Sequence, residues 1–230
     1  MDIIELSDFT LQSNGLGMGI NAGFFSAARG EIWKIESDNI NDSHLLINGL
    51  ATLTYPSNGT YSFDGRQLNF SDYRKLLSTK KRIGYIASDT TLISNRTIRE
   101  NLTLNRIYFE NDLNAELTDE EYTMCDLFKI ADILDVRPNK LKPPDIKKAI
   151  LVRELLKNPD VILIEYPDEF SGYKEREALI KTLSDAVESG VTLIYSSYDP
   201  DFVKSFSHNT LSIKNGILTK TQGNNYDSEL

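Results

Sequence analysis

The residues able to do chemistry are few and mostly acidic. The chain has two histidines, His44 and His208, and one cysteine, Cys125. A lone cysteine rules out a disulfide framework and a multi-cysteine zinc site. The densest polar stretch is Glu36-Ser37-Asp38-Asn39-Ile40-Asn41-Asp42-Ser43-His44. Asp42-Ser43 stands before an apolar run, which is good capping sequence, so Ser43 is expected to open a helix as its N-cap. Asp89 follows the apolar stretch 82–87 and could bind a cation, although a lone turn aspartate is more often just that. Glu165 and Tyr166 end the apolar stretch 160–164. A phenol with a pKa near ~10 is a poor general base at neutral pH.

Those residues need a scaffold, and composition allows one. The 230 residues correspond to one large domain, or a domain with a lobe, at about 150 residues per domain. With 40% hydrophobic and 26% charged residues a packed core is expected rather than wholesale disorder. Lysine plus arginine is 25 and aspartate plus glutamate 34, giving a net charge of −9. That balance argues against non-specific nucleic-acid binding and against direct docking on an anionic membrane. The acidic start, Met1-Asp2-Ile3-Ile4-Glu5, has no long apolar region, so no signal peptide is expected. No apolar run approaches the ~18 residues of a membrane span.

The elements alternate. Stretches 2–11 and 31–36 read as extended, and 21–30 carries Phe24-Phe25 and closes on Gly30. Residues 60–65 alternate and end in the turn dipeptide Asp64-Gly65. A helix is predicted over 43–53, with Leu46, Leu50 and Leu53 at i, i+4, i+7, and Tyr55-Pro56-Ser57-Asn58-Gly59 breaks it. Residues 82–87 read as a short buried strand. From 97 to 139 the chain reads as helical in pieces. Thr118 and Glu121 have capping-box spacing there, and Met124, Leu127, Phe128, Ala131 and Leu134 share a face. A helix follows over 145–157. Residues 160–164 form a continuous apolar strand, as a doubly covered parallel sheet requires. Helix 174–188 turns Leu179, Ile180, Leu183 and Val187 inward and stops at Gly190. A buried strand over 191–195 and a hairpin on Lys214-Asn215-Gly216 complete an α/β layout without internal repeats.

This succession resembles the ATPase subunit of ABC transporters over nearly the whole chain. The carrying pieces are framework: Phe25-Ser26-Ala27-Ala28-Arg29-Gly30-Glu31-Ile32-Trp33-Lys34-Ile35 before the phosphate loop, Gly59-Thr60-Tyr61-Ser62-Phe63-Asp64-Gly65, Arg82-Ile83-Gly84-Tyr85-Ile86, Thr97-Ile98-Arg99-Glu100-Asn101-Leu102, Leu155-Leu156-Lys157-Asn158-Pro159-Asp160-Val161-Ile162-Leu163-Ile164, and Tyr198-Asp199-Pro200. The resemblance implies a P-loop-NTPase-like ABC ATPase fold, with an early antiparallel β portion and a central helical lobe at about 96–140. It implies a single domain over 1–220 and a polar tail over 221–230.

On that resemblance, the family's site residues are replaced. Its phosphate loop is G-x-x-x-x-G-K-[ST]. Here Glu36 and Asn41 stand at the glycines, Asp42 at the lysine and Ser43 at the magnesium hydroxyl. A unit charge pair at ~4 Å and an effective dielectric of ~20 is worth about 4 kcal/mol, so acid in place of base disfavours phosphate. The loop is expected not to form a phosphate cradle, because Glu36, Asn39 and Asn41 would need glycine-type backbone conformations. Ser88 stands at the glutamine. Pro143 and Pro144, which lack N–H groups, replace the signature glycines, though they remain good helix-start residues. Glu165 stands at the metal-organising aspartate, Tyr166 at the glutamate that acts on water and Tyr198 at the switch histidine. An adenine-stacking aromatic is not assignable, and the nearby Phe9 reads as core.

The resemblance therefore implies a catalytically degenerate cassette: a non-hydrolysing subunit or scaffold of an ABC-type membrane transport complex, with no catalytic residue and no metal. No cofactor is expected. Its partners would be a membrane permease subunit and a second cassette-like chain, in a homo- or heterodimer. It would be cytoplasmic, at the inner face of the membrane. The alternatives are a noncanonical ATP-binding subunit, using ATP and magnesium with help from Ser43, Asp89, Glu165 or Lys34, and a homodimeric regulatory protein with neither nucleotide nor transporter.

Overall fold

The computed structural model describes residues 1–13, 15–110, 115–170 and 173–221, so the expected polar tail lies outside the described residues from 222 onward. Strand β1 (Asp2–Leu11) forms an antiparallel hairpin with β2 (Ile20–Ala28). Then come β3 (Ile32–Ser37), α1 (Ile40–Leu50), β4 (Asn58–Phe63), β5 (Arg66–Gln67), α2 (Tyr73–Lys81) and β6 (Ile83–Ile86). Helices α3 (Ile98–Leu102), α4 (Leu104–Glu110), α5 (Asp119–Leu127) and α6 (Pro143–Leu155) follow. The chain returns through β7 (Val161–Glu165), α7 (Tyr173–Glu188), β8 (Thr192–Ser196), α8 (Pro200–Lys204), β9 (Asn209–Lys214) and β10 (Ile217–Thr221). One ten-stranded mixed sheet results, in the order β5-β4-β1-β2-β10-β9-β3-β8-β7-β6. β9, β3, β8, β7 and β6 pair in parallel, while β5, β4, β1 and β2 pair antiparallel. This is the expected α/β architecture.

Every residue of β7 and β8 is buried, as their unbroken apolar sequence requires. Alternation distributes them to two cores. Val161 and Leu163 pack with Leu46 and Leu50 of α1; Ile162 and Ile164 pack with Leu151 of α6 and with Leu179 and Leu183 of α7. Phe9 is fully buried and meets Tyr61 edge-on at 6.1 Å, so it is core. Leu53 falls beyond the end of α1 and is half exposed, contrary to its place on the expected helical face. Leu127 is likewise exposed; Cys125 and Phe128 fill that side of α5 instead. Burial pushes the Cys125 thiol up to about 11, so it is an apolar filler rather than a nucleophile.

Far from the loop edge, four charges tie the antiparallel portion to the parallel one. Arg29 reaches Asp160 at 2.6 Å and Asp64 at 3.0 Å, and Arg82 reaches Asp64 at 2.7 Å. Arg82 also pairs with Asp160 and lies 5.0 Å from the centre of the Phe63 ring. Burial alone would raise the Asp160 carboxyl, but hydrogen bonds from Arg82 and Arg29 hold it below the usual range. A depressed carboxylate stabilises the fold above its unfolded pKa of about 3.9, and that contribution is lost as pH falls through the folded value. Asp160→Asn is expected to cost about 1 kcal/mol at neutral pH and to flatten the acid limb of stability below pH ~4. Urea titrations across that limb measure both.

Candidate functional site

The C-terminal ends of β3, β7 and β8 lie together, and α1 leaves β3 across them. In open α/β sheets this is the edge where ligands bind. α1 begins at Ile40, three residues before the expected start, and its N-cap is Asn39. The Asn39 side chain accepts from the Asn41 N–H at 2.9 Å. Asparagine caps as well as serine, and starting at 40 puts Asp42, Ser43, Leu46 and Leu50 on the buried face. Ser43 is therefore not the cap but a buried residue of the second half-turn. No residue from 36 to 44 takes a left-handed backbone. The first N–H groups of α1 are used within the chain: those of Asp42 and Ser43 reach the Asn39 carbonyl.

Asp42 does something the sequence did not suggest. It is 2% exposed, and one carboxylate oxygen accepts from the backbone N–H groups of Met18 and Gly19 at 2.9 and 3.2 Å. Asn41 and Asn39 donate their side-chain amides to the Leu16 carbonyl at 3.1 and 3.3 Å. The three residues thus strap the β1–β2 loop to the start of α1. A Cβ on Gly17 would lie 2.1 Å from Asp42 Oδ1, so only glycine fits there. Gly17→Ala is expected to force Asp42 out of this contact and lower the melting temperature by several degrees, as loss of about 1–2 kcal/mol would. Calorimetry checks it.

The second unexpected feature is His44. Its Nδ1 lies 2.9 Å and 3.1 Å from the two oxygens of Glu165, which is 2% exposed at the end of β7. On the other side, Nε2 meets the Asn48 amide at 2.9 Å and lies 3.6 Å from Asp89. Tyr85 links Asn48 and Asp89 through its hydroxyl, at 2.5 and 2.6 Å. The hydrogen bond to Glu165 outweighs burial and raises the His44 pKa, with Asp89 adding to it. Glu165, which the resemblance places at the metal-organising position, is thus engaged by the His44 ring through both of its oxygens. Glu165 faces a cation only if this pair opens.

Tyr166 follows with a left-handed backbone, φ 47°, a conformation costly for a bulky residue. Its N–H donates to the Ser196 carbonyl at 2.9 Å, and its ring stacks on Tyr198 at 5.8 Å and 22°. Burial, then Tyr198 and Glu165, push its phenol up, away from any use as a base near neutrality.

A cavity of about 220 Å³ opens beside these groups, lined among others by Lys34, Glu36, Ser43, Ser196, Ser197 and Tyr198. Lys34 pairs with Glu36 at 2.7 Å. Among the described residues the buried Ser196 hydroxyl has no hydrogen-bond partner. A cavity lined by an ammonium and hydroxyls, one of them orphaned, fits a phosphoryl group.

The structure thus gathers Glu36, Asn41, Asp42, Ser43, Glu165, Tyr166 and Tyr198 at one edge. Ser88 is exposed, and it is Asp89 that reaches the cluster. Pro143 and Pro144 open α6 on the exposed surface of a different element. Sequence reasoning missed His44, Asn48, Tyr85 and Ser196. The available signal was helical spacing, since His44 and Asn48 are i, i+4 and face one way.

Parallel strands feeding a loop-and-helix at this edge define a phosphate-loop type of α/β nucleotide-binding architecture. The model of the ABC transporter family matches residues 44–169, and the chain belongs to that family. Among curated relatives, the macrolide export ATP-binding/permease protein MacB of Campylobacter jejuni is 26% identical over 199 residues, covering 86% of this chain and 31% of that protein. The methionine import ATP-binding protein MetN 3 of Pectobacterium atrosepticum is 25% identical over 220 residues, covering 94% of this chain and 64% of that protein. The chain therefore spans about a third of the MacB relative. An ATP-binding subunit of an ABC transporter superposes with a TM-score of 0.80 at 18% identity, covering 96% of this chain and 90% of that one. A dimeric ATP-binding cassette in a post-hydrolysis state with ADP and Pi superposes with a TM-score of 0.78 at 19% identity, covering 97% and 100%. These relatives overturn the expectation of no cofactor: they are ATP-binding proteins by name, and one was solved with nucleotide and phosphate. The physical error lay in treating Asp42 as a bare charge facing the phosphates; its carboxylate is turned to two backbone N–H groups instead.

Proposed function

We propose that this chain is the nucleotide-binding subunit of an ABC-type membrane transport complex, and that it binds nucleotide without hydrolysing it by the family's usual route. The observation that carries the reading is at the end of β7. There Glu165 is held by His44, and the next residue is a phenol locked against Tyr198. No group at that place is poised to take a proton from water at neutral pH. The relatives' names, an exporter with its own permease and an importer's ATP-binding protein, support a permease partner. The dimeric neighbour supports pairing with a second cassette chain. Among the described residues no helix is long and apolar enough to cross a membrane. In this reading, attachment at the inner face runs through that partner. In this reading residues 1–220 act as one cassette with a helical lobe at about 96–140. Glu36, Asn41, Asp42, Ser43, Ser88, Pro143, Pro144, Glu165, Tyr166 and Tyr198 are its altered site positions, not catalytic residues. When bound, nucleotide and its cation would supply a phosphoanhydride charge for Lys34 and the serines to hold. The test is equilibrium titration with ATP and magnesium, alongside phosphate release. Saturable binding with phosphate release at the buffer rate is expected. Sustained turnover, or no binding at all, overturns the proposal.

A further inference from the structure

We infer that Lys34, with Ser196, holds the terminal phosphate of the bound nucleotide, so that the positive charge missing from the start of α1 is supplied by strand β3 instead. This rests on the nucleotide-binding reading above and names the group that makes it work. Among the described residues lining the 220 Å³ cavity, Lys34 alone carries a positive charge. Its side chain is only 17% exposed, whereas that of its partner Glu36 is 52% exposed. The ammonium is therefore fixed at the cavity, while the carboxylate can turn into water at little cost. Lys34 and Glu36 are two apart on β3 and share a face of the sheet.

The opposite wall comes from β8 and the residues after it. Ser196 is 5% exposed, and its hydroxyl has no partner among the described residues. A buried hydroxyl left unpaired is unfavourable and is normally satisfied by protein, water or ligand. Ser197, 6% exposed, accepts from the Asp199 N–H at 3.1 Å, which fixes its oxygen at the same end of the strand. The volume holds roughly seven waters at about 30 Å³ each, or one phosphoryl group and its ordered waters. A lysine binds phosphate as a point charge and does not require the glycine cradle that 36–41 lacks.

The arrangement makes two substitutions at neighbouring positions move affinity in opposite directions. Binding of ATP and of AMP to the full chain is measured by calorimetry, with and without magnesium. Lys34→Met is expected to weaken ATP at least ten-fold and AMP less than two-fold, since AMP lacks the terminal phosphate assigned to Lys34. Lys34→Arg is expected to keep ATP within about three-fold. Glu36→Gln is expected to tighten ATP a few-fold, because it removes the competing carboxylate, and Ser196→Ala to weaken it a few-fold. Thermal melting without ligand shows which variants fold; Glu36→Gln is at an exposed position and serves if Lys34→Met does not. If wild type binds ATP but Lys34→Met and Glu36→Gln each change it less than two-fold, the assignment to Lys34 is wrong while the nucleotide reading stands. If wild type binds neither ATP nor AMP, both fall.

Discussion

Replacing His44 with alanine is expected to destabilise the protein by about 2 kcal/mol, because it removes the partner of a buried carboxylate while the ring itself is partly exposed. Glu165 is 2% exposed, and both its oxygens face the His44 ring. Without the ring, this buried carboxylate loses the group that faces both its oxygens. It must then stay charged at high cost or take up a proton. Glu165→Gln is the informative companion. It removes the charge and keeps the shape, so His44→Ala made on that background is expected to cost under about 1 kcal/mol, a strong departure from additivity. Urea midpoints of the four proteins measure the coupling. An additive result would mean that the pair contributes only packing.

The same pair sets a pH signature. The folded pKa of His44 lies above its unfolded value of about 6.5, raised chiefly by Glu165 and further by Asp89, with burial opposing. A raised histidine contributes stability that is fully present below the unfolded value and is lost as pH rises through the folded one. Wild-type stability is therefore expected to decline above pH ~6.5 in a window that His44→Ala abolishes. The Asn48 amide allows both states: its N–H₂ donates to a neutral Nε2, and its oxygen, after the amide turns over, accepts from the histidinium.

Much of the scaffold was legible in the sequence because its signals are local. The apolar runs in β7 and β8 could be buried on both faces only in a parallel sheet. The turn at Asp64-Gly65 has φ values of 52° and 71°, as such a dipeptide allows, and Asn215-Gly216 matches it at 50° and 76°. Helix α2 escaped notice because Leu76 and Thr79 are its only buried residues, so no apolar period announces it. Its one local signal was Asp72, which caps it by accepting from the Arg74 N–H. The site was half legible. Reading Glu36 to His44 beside a phosphate loop drew attention to this stretch. It could not reveal what these residues do, because their partners are distant. Asp42 bonds residues 23 and 24 positions away, and His44 bonds one 121 positions away. Long-range pairing leaves no period in a sequence, and so a substituted residue read as a defect turned out to be a structural contact.

Asp42→Lys, which installs the residue that the resemblance places at this position, is expected to destabilise the protein by about 3 kcal/mol and to create no ATPase activity. Charge-assisted hydrogen bonds contribute about 1.5–3 kcal/mol each, and Asp42 accepts two from the backbone of the β1–β2 loop. Lysine would deprive the Met18 and Gly19 N–H groups of this acceptor and bring an ammonium against them at a position 2% exposed. The expected first effect is local: hydrogen exchange at Met18 and Gly19 speeds up to the rate of an open loop, while amides of β7 and β8 slow or quicken only with global stability. Asp42→Ala separates the contributions, since it removes the acceptor without adding a charge and should release the same two amides at smaller cost. On the proposed reading no turnover is expected in either variant, because Glu165 remains paired with His44 and Tyr166 remains a phenol whose pKa burial has raised. If Asp42→Lys instead gave a stable protein that releases phosphate from ATP, the strap would be incidental and the loss of hydrolysis would trace to one residue. If the Met18 and Gly19 amides exchanged at wild-type rates in Asp42→Ala, the β1–β2 loop would be held by Asn39 and Asn41 alone.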